Sequence, residues 1–285
     1  MRDEIAVGLA QWLPAPGRPD ENLATALGLI EDLARRGADL VVLPELWPSG
    51  FDWDSLSQDV PAAAEPLAGP RAEALSTCAR ALGIWLAAGS VPEQDGDALY
   101  NTALLYDRQG RLRAWHRKVH LYSPLGEDKV FAAGDRLTTC RTGEFGVVGL
   151  SVCFDGDFPE VARAFRRAGA TMVLQASAYE AAARNWWEKL YPANALSNGQ
   201  WWVMANQCGT NTSGTLLGAS QVVSPSGEVI ARATMAQEGQ SPPSDPLLVP
   251  VPLRAGIAQA EQENGVLWGS PRPGMAVHEF GPDGT

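Results

Sequence analysis

The sequence lacks long hydrophobic runs. No apolar stretch approaches the roughly 20 residues that a membrane-spanning helix needs. The N-terminus, MRDEIAVGLAQWL, is too short in its apolar part, and too interrupted by charge, for the hydrophobic region of a signal peptide. Together these absences predict a cytoplasmic protein without a membrane partner.

The sequence is also poor in positive charge. Lysine and arginine number 22 against 33 aspartate and glutamate residues, so the formal net charge is −11. Nucleic acids and anionic surfaces bind basic patches, and the sequence has no basic stripe. We therefore expect no nucleic acid as a partner.

Closely spaced cysteines are missing as well. The chain has four cysteines, which are far apart and form no Cys-x-x-Cys pair: Cys78, Cys140, Cys153 and Cys208. Zinc sites and disulfide frameworks depend on recurring close spacings or on an oxidising compartment. The pattern predicts reduced thiols and no zinc site.

What the sequence does contain is an alternation of strand-like and helix-like segments. Residues 39–45 (DLVVLPE) and 171–177 (TMVLQAS) are apolar runs typical of buried strands, whereas residues 19–37 carry apolar side chains at helical spacing. Turn signals at 109–110 and 225–227 indicate hairpins. Mixed hairpins and helical crossovers predict an α/β fold of layered sheets covered by helices.

The chain also contains a faint internal repeat. Residues 34–45 and 165–177 both run from a basic helix end through glycine into an apolar strand, which suggests two similar halves. No linker divides the 285 residues, so we expect a single domain over 1–285. From about residue 236 the chain is rich in proline and glycine with little periodicity, which predicts an extended tail that packs on the body or on a partner subunit.

Three reactive side chains stand at the ends of apolar strands. Glu45 follows VVLP, where desolvation favours a general base. Lys118 ends AWHRK, and Cys153 ends GVVGLSVC just before a helix start, a position that stabilises a thiolate. Each also has an ordinary explanation, because strand ends often carry solvated charges and cysteine is often a buried apolar residue.

Acidic residues follow the cysteine, and they have two interpretations. Asp155, Asp157 and Glu160 form either a metal cluster or the start of a helix. Asp157 and Glu160 have the spacing of a capping box, and Pro159 suits a first helical turn. Capping explains these two acids without a metal, and it directs the positive end of the helix toward the loop at Cys153.

Three ordered segments resemble a known family. PELW with Glu45, HRKVHL with Lys118 and CFDGDFPE with Cys153 are similar to the signature segments of the nitrilase superfamily of carbon-nitrogen hydrolases. The resemblance covers roughly residues 5–234 and includes NTALLYDRQGRL, FAAGD and GASQVVSPSGEVIA. It implies a four-layer αββα sandwich of the nitrilase type and a Glu-Lys-Cys triad that needs neither a metal nor an organic cofactor.

The resemblance also implies a role for each residue. Glu45 is the general base, and Cys153 is the nucleophile that attacks the carbon of a C-N group and forms a thioester. Lys118 stabilises the oxyanion, together with the backbone N–H of Phe154. Glu127, in EDKVFAAGD, matches a fourth acid that often joins the triad; its ordinary explanation is a solvated loop acid.

The details of the motifs favour one branch of the superfamily. Residues 153–155 (CFD) resemble the Cys-aromatic-Asp of amidases and carbamoylases rather than the Cys-Trp-Glu of nitrilases. We expect a small linear amide as the substrate, with an N-carbamoyl (ureido) compound as the alternative and a nitrile less favoured. Asn194 and Ser197 stand where many amidases have arginine and glutamate, so the sequence does not identify the side chain of the substrate. Tyr179 and Trp187 are the candidate pocket residues.

Two functions from other classes stay open. A papain-like Cys-His hydrolase would use His116, His120 or His278, although the first two are explained by the lysine segment. A non-catalytic binding protein with a vestigial site is the other. The two helices after the cysteine, within 157–169 and 184–199, are expected to pair protomers in a homodimer or a higher even oligomer.

Overall fold

The computed structural model describes residues 1–237 and 244–268. The first half of the chain contributes these elements: β1 (Ile5–Leu9), α1 (Pro19–Arg35), β2 (Leu40–Val42), α2 (Leu56–Ala63), α3 (Pro70–Leu82), β3 (Trp85–Asp95), β4 (Ala98–Tyr106) and β5 (Leu112–Arg117). Short 3-10 turns connect several of the elements along the chain.

The second half continues in the same style. Its elements are β6 (Thr138–Arg141), β7 (Val147–Val152), α4 (Pro159–Arg167), β8 (Met172–Ser177), α5 (Arg184–Asn198), β9 (Trp201–Asn206), β10 (Cys208–Asn211), β11 (Gly214–Leu217), β12 (Gln221–Val223), β13 (Val229–Arg232), β14 (Leu247–Val251) and α6 (Leu253–Trp268). Within the described ranges, no helix combines the length and the apolar character that crossing a bilayer requires.

Two six-stranded sheets share one topology. The first has the order β14-β1-β2-β3-β4-β5 and the second the order β13-β12-β9-β8-β7-β6. In each, three neighbouring strands are parallel (β1 to β3, β7 to β9), one antiparallel strand flanks them on one side and two on the other. The two halves predicted from the internal repeat are therefore real, and its strands β2 and β8 are equivalent.

The buried apolar residues show how the two sheets and the helices are stacked in layers. Apolar residues from both sheets meet in one core: Val7, Leu40, Leu105, Val148, Leu174 and Val203. On the outer face of the first sheet, α1 and α3 supply Ile30, Leu33 and Leu75. On the outer face of the second sheet, α4 and α5 supply Phe165 and Tyr191. The result is the four-layer αββα sandwich that the family resemblance implies, and it agrees with the layered sheets predicted from the sequence pattern.

Equivalent glycines let the helices approach the sheets closely. Gly8 in β1 and Gly149 in β7 occupy the same place in the two halves, each within a Val-Gly-Leu segment. A Cβ at Gly149 would lie 2.8 Å from the ring of Phe165, and one at Gly8 would lie 3.1 Å from Leu33. A larger residue would displace the helix that covers the strand.

The prediction of an extended tail is wrong over its described part. Residues 247–251 form β14, which pairs antiparallel with β1 and completes the first sheet. Helix α6 follows and packs against α5, where Trp268 donates its indole N–H to the carbonyl of Leu196 at 2.9 Å. Residues 238–243 and 269–285 lie outside the described residues.

Candidate active site

Glu45 lies on a rigid turn beyond β2. The next residue, Leu46, has a φ of 43°, a left-handed conformation that non-glycine residues rarely adopt, and its N–H donates to Ser90 Oγ at 3.0 Å. Gln207 Nε2 donates to the carbonyl of Glu45 at 2.7 Å. Neighbouring segments from both sheets thus fix the turn, and the Glu45 side chain is fully buried.

Lys118 joins Glu45 to a second acid. It follows β5, and its Nζ lies 2.9 Å from Glu45 Oε1 and 2.9 and 2.8 Å from the two oxygens of Glu127. Glu127 begins a 3-10 turn, Glu127–Lys129, and accepts the backbone N–H of Tyr122 at 2.7 Å. The structure therefore brings together three of the predicted site residues in a fully buried contact.

Asn101 is a member of this group that sequence reasoning missed. Its Nδ2 donates to Glu45 Oε1 at 2.8 Å and to Glu127 Oε1 at 3.1 Å, and its carbonyl accepts the N–H of Lys118 at 2.8 Å. The available signal was a lone amide at the start of the mostly apolar segment NTALLY. We call Glu45, Asn101, Lys118 and Glu127 the lysine cluster.

The lysine cluster has one positive and two negative groups. Burial raises the pKa of Glu45, and the charge of Glu127 adds to this, whereas Lys118 and Asn101 offset part of the rise. Burial alone would lower the pKa of Lys118, but the carboxylates of Glu127 and Glu45 outweigh it and hold the pKa well above the usual value. The lysine is therefore a permanent cation, and Glu45 is an acid whose pKa has moved toward the range of a general base.

Cys153 lies on a strained turn at the end of β7. Its φ of 43° is in the left-handed region, which costs a non-glycine residue about 1–3 kcal/mol. The amide of Gln175 donates to its carbonyl oxygen at 3.0 Å, and the hydroxyl oxygen of Tyr191 lies 3.3 Å from the same carbonyl oxygen. Gly156 permits this packing, because a Cβ there would lie 2.5 Å from Gln175 and 2.7 Å from Tyr191. The main chain of the cysteine is thereby held against β8 and α5.

The prediction that this position stabilises a thiolate is wrong. Burial raises the pKa of Cys153 well above its usual value, the nearby carboxylate of Glu45 raises it further, and Lys118 offsets only part of this. A 3-10 turn, Cys153–Asp157, separates the cysteine from the helix that follows. Cys153 is therefore a thiol at neutral pH and needs a base before it can act as a nucleophile.

Asp155 connects the cysteine turn to the end of β5. Its carboxylate oxygens lie 3.0 Å from His116 Nε2 and 2.9 Å from His120 Nδ1. The carboxylate also accepts three backbone N–H groups, from Val119 at 3.1 Å, His120 at 2.8 Å and Val152 at 3.4 Å. We call His116, His120 and Asp155 the histidine cluster. It joins the strand that carries the lysine to the turn that carries the cysteine.

The histidine cluster contains a stable anion. Burial alone would raise the pKa of Asp155, but the hydrogen bonds from His116 and His120 outweigh it and hold the pKa well below its usual range. Within the described part of the chain, neither histidine forms a hydrogen bond with Cys153. The third histidine considered as a partner for the cysteine, His278, lies outside the described residues.

The capping role predicted for Asp157 is wrong. Helix α4 begins at Pro159, with Phe158 as its N-cap and no side-chain capping bond. The Asp157 carboxylate instead accepts hydrogen bonds from the hydroxyls of Tyr179 at 2.9 Å and Tyr191 at 2.7 Å. Two strong donors, which the sequence places some 20 and 30 residues away, compete successfully with the helix end for this acid.

The three acids after the cysteine do not converge. Asp155 belongs to the histidine cluster, Asp157 is bonded to two tyrosines, and Glu160 is exposed at the start of α4. Across residues 1–237 and 244–268, no group of three or more His, Cys, Asp and Glu side chains is arranged to hold a metal ion. The metal-cluster interpretation of these acids has no support in the geometry.

A cavity of about 240 Å³ lies over the lysine and the cysteine. Lys118 and Cys153 both contribute to its wall, together with Phe154 and Tyr179, two of the predicted substrate-binding residues. The cavity wall thus combines a thiol, a buried cation and aromatic surface, as a small-molecule site requires.

The third predicted pocket residue, Trp187, does not line the cavity. It is fully buried, donates its indole N–H to the carbonyl of Ala219 at 3.1 Å, and packs behind Tyr179 with 5.2 Å between ring centroids. Its neighbour Trp186 lines the cavity and is 58% exposed. Successive helical residues point about 100° apart, and the sequence alone does not show which of two adjacent tryptophans faces the site.

The two residues at which the sequence departs from many amidases also lie outside the cavity wall. Asn194 Nδ2 donates to the carbonyl of Gly156 at 3.0 Å, and Ser197 Oγ lies 3.4 Å from the carbonyl of Asn194. The departure from the amidase pattern at Asn194 therefore changes a contact to the turn that carries Cys153 and leaves the cavity wall unchanged.

Comparisons with known proteins identify the family of this chain. The family model for carbon-nitrogen hydrolases matches residues 6–243. Omega-amidase NIT2 of Xenopus tropicalis is 33% identical over 239 residues, which cover 81% of this chain and 84% of the relative.

Solved structures match over almost the whole chain. Saccharomyces cerevisiae Nit3, a member of branch 10 of the nitrilase superfamily, has a TM-score of 0.80 at 27% identity and covers 92% of this chain and 94% of its own. A mutant of the amidase from Nesterenkonia sp. AN1 in complex with butyramide has a TM-score of 0.74 at 26% identity, with 93% and 97% covered. With a matching family model, a relative at this identity and the same fold, the chain belongs to the carbon-nitrogen hydrolase family of the nitrilase superfamily.

Proposed function

We propose that this protein hydrolyses the C–N bond of a small linear amide through a thioester on Cys153. The observation that carries the proposal is the position of Lys118, which contacts the buried Glu45 and Glu127 and lines the same cavity as Cys153. Relatives named omega-amidase and amidase support an amide as the substrate. The products are a carboxylate and ammonia or an amine.

Glu45 acts as the general base in this proposal. Its carboxylate accepts the proton of the Cys153 thiol as the sulfur forms a bond to the amide carbon. The raised pKa of Glu45 makes it a better proton acceptor than an ordinary carboxylate, and the raised pKa of Cys153 is the reason that a base is needed. Attack produces a tetrahedral intermediate with a negative oxygen.

Lys118 stabilises that oxygen. Its ammonium is a fixed cation in a buried site, where an electrostatic contact is stronger than in water. The backbone N–H of Phe154, the second residue of the 3-10 turn, is the second donor. Protonated Glu45 then gives its proton to the leaving nitrogen, the C–N bond breaks, and the acyl group stays on Cys153 as a thioester.

Water completes the cycle. Glu45, again a carboxylate, takes a proton from a water molecule that attacks the thioester carbon. The C–S bond breaks, the sulfur regains its proton from Glu45, and the carboxylate product leaves. Glu127 and Asn101 position Lys118 and Glu45 throughout, since both contact these two groups at hydrogen-bond distance.

Ammonia release from a substrate panel tests this proposal. We expect turnover of small aliphatic amides by the wild-type protein and a nearly complete loss in Cys153→Ala and Cys153→Ser with the fold retained. Cys78→Ala, which removes a buried thiol of α3 that does not line the cavity, is the matched control and should retain activity. Turnover by Cys153→Ala, or inhibition by a chelator that a metal reverses, would contradict the mechanism.

The same panel separates the alternatives. Preferential release of ammonia from N-carbamoyl compounds would identify a ureido substrate, and conversion of nitriles would identify a nitrilase. Labelling of Cys153 by iodoacetamide without turnover of any compound would indicate a binding protein with a vestigial site.

We also propose a homodimer in the cytoplasm. The outer helices α4 and α5 lie on one face of the second sheet, which is the face expected to pair with a second copy. Light scattering should give a mass near twice 30.4 kDa or a higher even multiple. A deletion from residue 246 would not test association by itself, because it also removes β14 from the first sheet. A stable, active monomer at micromolar concentration would contradict the dimer.

A further inference from the structure

The charged side chains in the cavity wall are mainly acidic. Three charged side chains line it: Lys118, Asp157 and Glu180. Lys118 is already in contact with the carboxylates of Glu45 and Glu127. Within residues 1–237 and 244–268, no other lysine, arginine or histidine contributes to the wall. A substrate carboxylate would meet acids there and find no free cation.

Glu180 is the acid best placed to contact a ligand. It follows β8, and Trp53 Nε1 donates to its Oε1 at 2.9 Å across the two halves of the molecule. In the described ranges, its other carboxylate oxygen accepts no hydrogen bond. Asp157, in contrast, has both oxygens occupied by the hydroxyls of Tyr179 and Tyr191. Glu180 therefore has acceptor capacity left for a ligand, and its position is fixed.

Three aromatic side chains share the cavity wall with this acid. Trp53, Tyr122 and Trp186 line the same cavity as Glu180, and the rings of Trp53 and Tyr122 lie 6.2 Å apart at a tilt of 41°. Trp186 lines the cavity and is largely exposed. A carboxylate with aromatic faces around it is the combination that binds ammonium groups, through an ion pair and cation–π contacts.

We propose that Glu180, with Trp53 and Trp186, binds a cationic group on the acyl side of the substrate, so that the protein prefers amides of ω-amino acids over amides that carry a carboxylate. This inference rests on the proposed amidase function and adds the charge of the substrate to it. The volume of about 240 Å³ limits the substrate to a short chain. Glu180 is a specificity residue here and takes no part in breaking the C–N bond.

Three amides of similar length test the preference: 5-aminopentanamide, pentanamide and 4-carbamoylbutanoate, which end in an ammonium, a methyl and a carboxylate group. For the wild-type protein, we expect kcat/KM to be roughly tenfold higher for the ammonium compound than for the methyl compound. The compound that ends in a carboxylate should have the lowest kcat/KM, because its negative charge would face the acidic side chains of the cavity wall. A preference for the carboxylate compound, or none, overturns the inference.

Variants assign the preference to Glu180. Glu180→Gln should reduce the ammonium-to-methyl ratio of kcat/KM to near one, and Glu180→Lys should move the preference toward the carboxylate compound. Glu160→Gln removes an exposed acid outside the cavity wall and should leave the ratio unchanged. Trp186→Ala, at an exposed position that tolerates truncation, should lower the ratio several-fold. An unchanged ratio in Glu180→Gln contradicts the proposed contact.

Equilibrium binding separates this inference from the proposed function. The three amides are titrated into the Cys153→Ala variant, and the dissociation constants should follow the same order. Binding in that order without turnover by the wild-type protein would reject the amidase and keep the cation site. Turnover without the order would keep the amidase and reject the cation site.

Discussion

Two buried carboxylates near the cysteine have opposite acidities. Glu45, in the lysine cluster, and Asp155, in the histidine cluster, are both fully buried, and burial raises the pKa of each. Asp155 accepts three backbone N–H groups and two histidine contacts, which outweigh burial. Glu45 accepts fewer hydrogen bonds, so burial outweighs them and the pKa of Glu45 is raised. The number of donors thus separates an anion that fixes the structure from an acid suited to accept a proton.

The largest effect is expected from Glu45→Gln. Glutamine retains the shape and one acceptor but cannot take a proton, so kcat on an amide should fall roughly a thousandfold or more. The thermal unfolding temperature should fall only slightly, because the removal of a costly buried charge offsets part of the loss of the hydrogen bond that Glu45 Oε2 accepts from the backbone N–H of Ala178 at 2.9 Å. Steady-state ammonia release and a melting curve check both. Activity within tenfold of the wild type would end the role of Glu45 as the base.

Asp155→Asn should reduce the stability of the protein more than its activity. The amide group would place N–H donors against the backbone N–H groups that Asp155 now accepts, so the free energy of unfolding should fall by about 2–4 kcal/mol. Activity should fall less than in Glu45→Gln, because the base and the nucleophile remain. Urea unfolding with a parallel kinetic assay measures the two. Unchanged stability would show that the histidine cluster does not fix the turn.

The pH dependence of stability should separate the two acids. The folded-state pKa of Asp155 is lowered, so its contribution is present above the ordinary value near 3.8 and is lost as the pH falls through the folded value. The folded-state pKa of Glu45 is raised, so stability should decline as the pH rises above about 4.5 toward its folded value. Glu45→Gln should remove that decline. Identical pH profiles of unfolding for both proteins would contradict the raised pKa.

The smallest effect is expected at Asn101. Its hydrogen bond lowers the pKa of Glu45, so Asn101→Ala should move the acidic limb of the kcat/KM profile to higher pH and lower kcat by roughly tenfold. The direction follows because a base that is harder to ionise is protonated at a higher pH. A shift to lower pH, or loss of activity without a shift, would point to a purely structural role.

The fold was largely predictable because the local signals agreed with one another. Apolar strands, the glycine turn at Gly110 and the internal repeat all point to layered sheets, and the structure has them. The C-terminal part was not predictable in the same way. Pro250 lies in β14 and argues against a strand, yet β14 is at the sheet edge, where proline is tolerated. Two glycines, Gly256 and Gly265, weaken the helical pattern of α6.

The site was predictable where strand ends and family segments coincide. Glu45, Lys118, Glu127 and Cys153 are placed together or around one cavity, although their roles stay predictions. Hydrogen-bond partners that come from distant parts of the chain could not be predicted from the local sequence. The binding of Asp157 by two tyrosines and the pairing of Asp155 with His116 depend on tertiary contacts. The thiol state of Cys153 likewise follows from burial, which a local motif does not report.

In the proposed mechanism, a neutral thiol at Cys153 becomes acylated with Glu45 as the base. Rapid acid quenching during turnover of an amide, followed by peptide mass spectrometry, tests it most directly. We expect an acyl adduct, equal in mass to the amide less ammonia, on the peptide that contains Cys153. Hydroxylamine should remove it, and Glu45→Gln should form it far more slowly. Steady ammonia release with no adduct on Cys153, or an adduct on another residue, would contradict the account.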